Sequence, residues 1–256
     1  MKKYIAISMF CCSIAFSSIL NAQEIQPKFK YNNIKHAITL GYNIGATVPF
    51  SLPNTIREIN SYAPLFTPSF GYQATYDLSS KWLMGVGLRV DVKGMKVTDS
   101  VQYFHTIISV DNGNGELGSF EGDFTGTNAT ISRNVYLTLP IFAGYRQGEW
   151  DFKFGMYFAY LLSAEFKGTV SEGYIRKGNS LGEKVLIERA DFDFSREVRS
   201  FDLGAHVGVS RHFGKRWEAD LTGQLGFNPV FPSSFRGVGY NLHNMYLTLG
   251  VAYQIW

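Results

Sequence analysis

Residues 134–166, NVYLTLPIFAGYRQGEWDFKFGMYFAYLLSAEF, change character at every second position, and this constrains the chain more than anything else in it. Before the turn, Val135, Leu137, Leu139, Ile141, Ala143 and Tyr145 share one parity; after it, Phe152, Phe154, Met156, Phe158, Tyr160 and Leu162 do. The other parity holds Asn134, Tyr136, Thr138, Pro140 and Gly144, then Lys153, Gly155, Tyr157, Ala159 and Ser163. Successive side chains of a strand point to opposite faces, so two such runs around the polar Arg146-Gln147-Gly148-Glu149 are a β-hairpin. The apolar face is large and aromatic, whereas the other is small or polar. A soluble sandwich turns its large apolar face inward. A membrane barrel turns it to lipid and fills a narrow interior with small and polar groups. Tyr145 and Trp150 bracket the turn, as suits a membrane–water interface.

The same alternation recurs along the chain. A first strand runs from Lys35 to Thr47, a second over 68–78, and a third from Trp82, with Met84, Val86, Leu88, Val90 and Val92 outward. The hairpin supplies the fourth and fifth. A sixth covers 200–212, a seventh starts at Trp217, and an eighth follows residue 243. Between them, 48–66 holds three prolines, 97–131 is rich in Gly, Asn and Asp, 167–197 carries mixed charge, and 228–243 holds proline and glycine; these read as long loops. Short turns follow the even-numbered strands up to the sixth, and long loops follow the odd ones. The expectation is therefore an all-β, eight-stranded antiparallel transmembrane β-barrel with short periplasmic turns and long outer loops. Trp82, Trp150 and Trp217 each open a strand after a short turn and Trp256 ends the last, a periplasmic aromatic girdle.

The segment MKKYIAISMFCCSIAFSSILNAQ reads as a secretory signal peptide over 1–22: two lysines, an apolar run, then Ala22 as cleavage point. A short periplasmic leader, 23–34, precedes the barrel domain, 35–256. Both cysteines, Cys11 and Cys12, fall within the signal peptide, so thiol catalysis, thiolate metal sites and disulfides drop out of the mature chain. Removing Lys2 and Lys3 leaves 22 basic against 21 acidic residues, with no basic stripe for nucleic acid. After residue 22 no apolar run reaches the ~18 residues of a spanning helix, so membrane entry requires strands.

The Asn21-Ala22-Gln23 junction, the eight alternating strands and the aromatic end resemble the PorT-like outer-membrane β-barrel family of Bacteroidota. That family's fourth strand reads Tyr, any residue, Glu, Ile, Pro, then apolar residues to a Lys-Tyr pair. Here Tyr136-Leu137-Thr138-Leu139-Pro140 through Gly144-Tyr145 keeps the tyrosines and the proline, with Thr138 and Gly144 at the acid and lysine positions. The following GMYFAYLLSAEFKG is similar to the family's glycine-aromatic strand with its leucine pair. One departure is that Trp256 lies one residue off the outward parity of Tyr253 and Ile255. The resemblance implies an outer-membrane location, and one member of the family is associated with type IX secretion.

The inward parity collects charge: Asp77, Arg89, Asp91, Lys93, Asp151, Lys153, Asp202, Glu218 and Asp220, with His206. Eight strands leave an interior that side chains fill, and charges away from water persist when paired, so these form an expected lumen network rather than a gate. Asp202, His206 and Ser210 suggest a triad, but residues four apart on a strand are separated by about 13 Å, far beyond hydrogen-bond reach. The remaining histidines lack metal-ligand spacing, and Asp111 to Glu116 lacks the spacing of a calcium hand, so neither metal nor cofactor is expected. The expected function is a monomeric, non-enzymatic outer-membrane scaffold in contact with lipid and with an envelope or secretion protein. A narrow solute channel and a membrane-embedded lipid- or lipopolysaccharide-modifying enzyme are the alternatives; a soluble lipocalin-like binder is the structural rival.

Overall fold

The computed structural model describes residues 34–111 and 117–255. The expected signal peptide, residues 23–33 of the leader, residues 112–116 and Trp256 lie outside the described residues. Among the described residues there are eleven strands: β1 (Ile34–Val48), β2 (Ile56–Pro64), β3 (Pro68–Asp77), β4 (Trp82–Asp111), β5 (Leu117–Gln147), β6 (Trp150–Ser163), β7 (Phe166–Lys177), β8 (Lys184–Asp193), β9 (Phe201–Phe213), β10 (Trp217–Gly226) and β11 (His243–Gln254). The leader's last residue, Ile34, already belongs to β1.

The strand pairs close on themselves. From His36 on β1, the register passes through Ala74, Val86, Ile141, Met156, Ala205, Leu225 and Met245 and returns to β1 at Ala46. One circuit thus crosses β3, β4, β5, β6, β9, β10 and β11 and gains ten residues of stagger between His36 and Ala46. With ~3.3 Å per residue and ~4.8 Å between strands, that stagger tilts the strands by about 40°. The circuit runs through the strands expected from the alternation, but the total of eight is corrected to eleven. β2 lies in the expected loop 48–66, and β7 and β8 lie in the expected loop 167–197. The described part of residues 97–131, read as irregular, continues β4 and β5 as one long antiparallel pair.

On the circuit strands the outward parity is apolar and exposed: Leu40, Phe70, Leu88, Leu139, Phe154, Phe158, Val207, Leu221 and Leu249. Asn43, Asp91, Asn134, Thr138, Asp202 and Thr248 occupy the buried inward parity. Val92, expected outward, is covered instead. The register places Trp82, Trp150 and Trp217 within about 3 Å of one another along the barrel axis, and the apolar band from there to Tyr160 and Phe201 spans about 27 Å. That height matches a bilayer's hydrocarbon core.

Beyond the band the polarity inverts. An extension made of the upper halves of β4 and β5, with β7 and β8, turns apolar side chains inward and forms a core of Val101, Phe104, Ile108, Phe124, Phe166, Val170, Ile175, Ile187 and Phe192, joined by Phe194 just after β8. Val230, Phe231 and Leu242 of the β10–β11 connection close it. β2 pairs only with β4, over Met95–Val101, and is exposed along nearly its whole length.

Candidate functional site

The barrel interior holds the chain's densest polar cluster, arranged in layers. At the end bearing the tryptophans, Arg146 donates from Nε and Nη2 to Asp151 at 2.8 and 2.9 Å and from Nη1 to Asp77 at 3.0 Å. Lys35 lies 2.7 Å from Asp77, and His212 Nε2 2.8 Å from Asp151. The planar fork of the guanidinium lets one side chain on β5 join carboxylates from β3 and β6.

One layer up, Lys153 pairs with Glu218 and lies 3.6 Å from Asp220, which accepts from Ser210 Oγ at 2.8 Å. His206 Nε2 is 3.3 Å from the Ile141 carbonyl. Arg89 lies 3.5 Å from Asp91, which also accepts from Ser69 Oγ at 2.5 Å.

The third layer is the most enclosed. Lys93, 1% exposed, faces Asp202 at 3.4 Å and lies over the rings of Tyr157, Tyr136 and Tyr246 at 4.6, 5.4 and 5.8 Å. Asp202 Oδ2 also accepts from Tyr157 at 3.0 Å and from Asn244 at 2.9 Å. A buried ammonium needs both a counter-ion and replacement of its hydration; one carboxylate and three aromatic faces supply these. The aromatic core of the extension sits directly beyond. Two cavities remain among the ion-paired layers, each about 30 Å³, room for a water or two.

The expected lumen residues are therefore brought together, though in several separate clusters. Asp77 stands at the half-buried rim. Asp202, His206 and Ser210 each serve a different partner and form no triad. Arg146, Lys35 and His212 were not anticipated in the network. Arg146 reads as a turn residue, yet its long side chain reaches back into the lumen. Tyr136, Tyr157 and Asn134 carry the inward parity, which was the available signal.

The extension holds its own polar groups. His105 sits between Asp123, 2.9 Å from Nδ1, and Glu121, 3.2 Å from Nε2. Asp99 accepts from Asn128 Nδ2 at 3.0 Å; burial nonetheless pushes its carboxyl up to about 6.

The family described as Outer membrane protein beta-barrel domain matches residues 21–232, well over half of the sequence. The chain belongs to that family. Location in the outer membrane follows, in keeping with the apolar band. No curated protein matches the sequence. Among solved structures, the chain is similar to Ail, the attachment invasion locus protein of Yersinia pestis, at 9% identity over 87% of this chain and 99% of that one, with a TM-score of 0.36. Neisserial surface protein A matches at 10% identity over 87% and 97%, with a TM-score of 0.29. The outer membrane protease OmpT of Escherichia coli matches at 12% identity over 88% and 97%, with a TM-score of 0.32. Similarities this distant carry no inference about activity.

Proposed function

We propose that this outer-membrane barrel is a non-conducting, non-enzymatic envelope scaffold that engages a partner through its extension. Its eight-strand circuit spans the membrane, with the short turns in the periplasm and the extension outside. The filled lumen carries this reading. Three ion-paired layers and an aromatic core occupy the axis in turn, and the cavities among the layers, of about 30 Å³ each, have room for a water or two. The enzyme alternative finds little support in Asp202, His206 and Ser210, which are committed to separate contacts.

β2 is the feature that favours a protein partner. Its outer edge is unpaired among the described strands, and it exposes Ile59 and Tyr62. An edge strand of this kind accepts an extended segment by strand addition. The PorT-like resemblance adds an envelope or secretion complex as the setting. Conductance of the refolded chain in a planar bilayer tests the proposal, with an unboiled-gel shift to prove folding. The expected result is a folded, inserted barrel without discrete openings; reproducible openings would promote the channel, with Arg89, Asp91 and Lys93 as selectivity residues.

A further inference from the structure

Just beyond the apolar band, the outward face of β4 and β5 gathers cations. Gly94 pairs with Arg133 and Lys96 with Ile131, so Lys96 and Arg133 are diagonal neighbours on one face. Across β5, Ile131 also pairs with Lys167. Like charges set side by side on a sheet repel unless an anion joins them. Lys167 is loosely shared between Glu165 and Asp193, each at 3.9 Å, and Arg189 lies 3.8 Å from Asp191. Lys96 and Arg133 have no carboxylate within ion-pair distance among the described residues, and both are exposed. Lys96, Ile131 and Lys167 form one side of a broad, open concavity of about 890 Å³ whose far side carries Arg189, Asp191 and Asp193; Arg133 is not part of its lining and adjoins it only as the diagonal neighbour of Lys96.

Height decides what the Lys96–Arg133 pair suits. By the barrel's register, Lys96 and Arg133 stand about 5 Å above the top of the apolar band. Leu137 and Leu139 continue the same face of β5 downward into that band. An amphiphile with its chains on these leucines would bring its headgroup to the two cations. We propose that Lys96 and Arg133, with Lys167 across Ile131, seat a phosphate of an outer-leaflet glycolipid. A bidentate guanidinium and an ammonium complement phosphate oxygens, and the apolar surface beneath distinguishes a lipid from a free ion. The proposal rests on the outward orientation of the extension.

The test is native mass spectrometry of the full barrel in neutral detergent, titrated with bisphosphorylated lipid A and with its dephosphorylated form. The parent is expected to prefer the phosphorylated lipid, and K96Q/R133Q to bind it about ten- to thirtyfold more weakly while keeping the parent's gel shift. Equal affinity of the parent for both lipids, or an unchanged preference in the double variant, would overturn the site. Displacement by millimolar inorganic phosphate in place of lipid would reassign it to a free anion and defeat the lipid proposal. Binding in micelles does not depend on orientation, which impermeant labelling of a cysteine placed at Ser180 reads separately.

Discussion

At the scale of single residues, the Lys93–Asp202 pair concentrates the consequences of a closed interior. Breaking a buried pair leaves an uncompensated charge and costs about 3–5 kcal/mol, whereas replacing both partners with apolar groups is often nearly neutral. Lys93→Met and Asp202→Leu alone are therefore each expected to lower the melting temperature in detergent sharply. The combined variant should recover part of the loss, because Tyr136, Tyr157 and Tyr246 already offer it an aromatic environment, while the Tyr157 hydroxyl and the Asn244 amide still lose their acceptor. A double-mutant cycle from thermal unfolding measures the coupling. Simple additivity of the two losses would mean that the pair does not act as a unit. Parity alone identified both residues as inward, but it did not show which carboxylate meets which cation. That depends on the ten-residue stagger, which sets strands that are remote in sequence across the lumen from one another.

At the scale of elements, the long β4–β5 pair marks where reading from sequence stopped. The membrane strands are legible because one parity is apolar over the whole band, as in Leu137, Leu139 and Ile141. In residues 97–131 the apolar residues switch to the inward face, and the strand parity itself shifts. A register break between Val101 and Phe104 places one extra residue in β4, with Tyr103 at φ 53°. A second break lies between Thr125 and Thr127 opposite β7, where Glu172 has φ 52°. Such bulges each insert one residue and so reverse the alternation beyond them. Phe104, Ile108 and Ile175 therefore fall out of phase with the preceding residues, and the pattern looks irregular. Gly126 lies between the two bulges at φ 154°, and a Cβ there would come within 2.6 Å of the Phe124 ring and 2.8 Å of the Ser171 carbonyl. The backbone oxygen cannot yield cheaply. Gly126→Ala is expected to speed amide exchange and limited proteolysis in β5 and β7 above the band while leaving the unboiled-gel shift of the barrel intact. Unchanged protection there would show that the bulged layer tolerates a side chain, against this account.

At the scale of the whole molecule, the order of the inner faces implies a direction. Charged and wet at the tryptophan rim, ion-paired in the middle and apolar beyond the band, the interior grows drier toward the extension. Trp82, Trp150 and Trp217 all lie at the opposite end, next to the short turns, as one layer. Short turns on one side and a folded extension on the other are what an outer-membrane barrel presents to periplasm and exterior respectively. Cys11 and Cys12 are the only cysteines in the sequence, so in a Cys11→Ser/Cys12→Ser background one introduced thiol at each end gives a clean readout. Ser80, in the short β3–β4 turn, and Ser180, between β7 and β8, are both exposed. A membrane-impermeant maleimide is expected to label Ser180→Cys in intact cells, and Ser80→Cys only after the outer membrane is permeabilised. The opposite pattern would place the extension in the periplasm. That result would leave the closed lumen as it is, but it would turn the free edge of β2 toward periplasmic partners and separate Lys96 and Arg133 from the outer leaflet's phosphates.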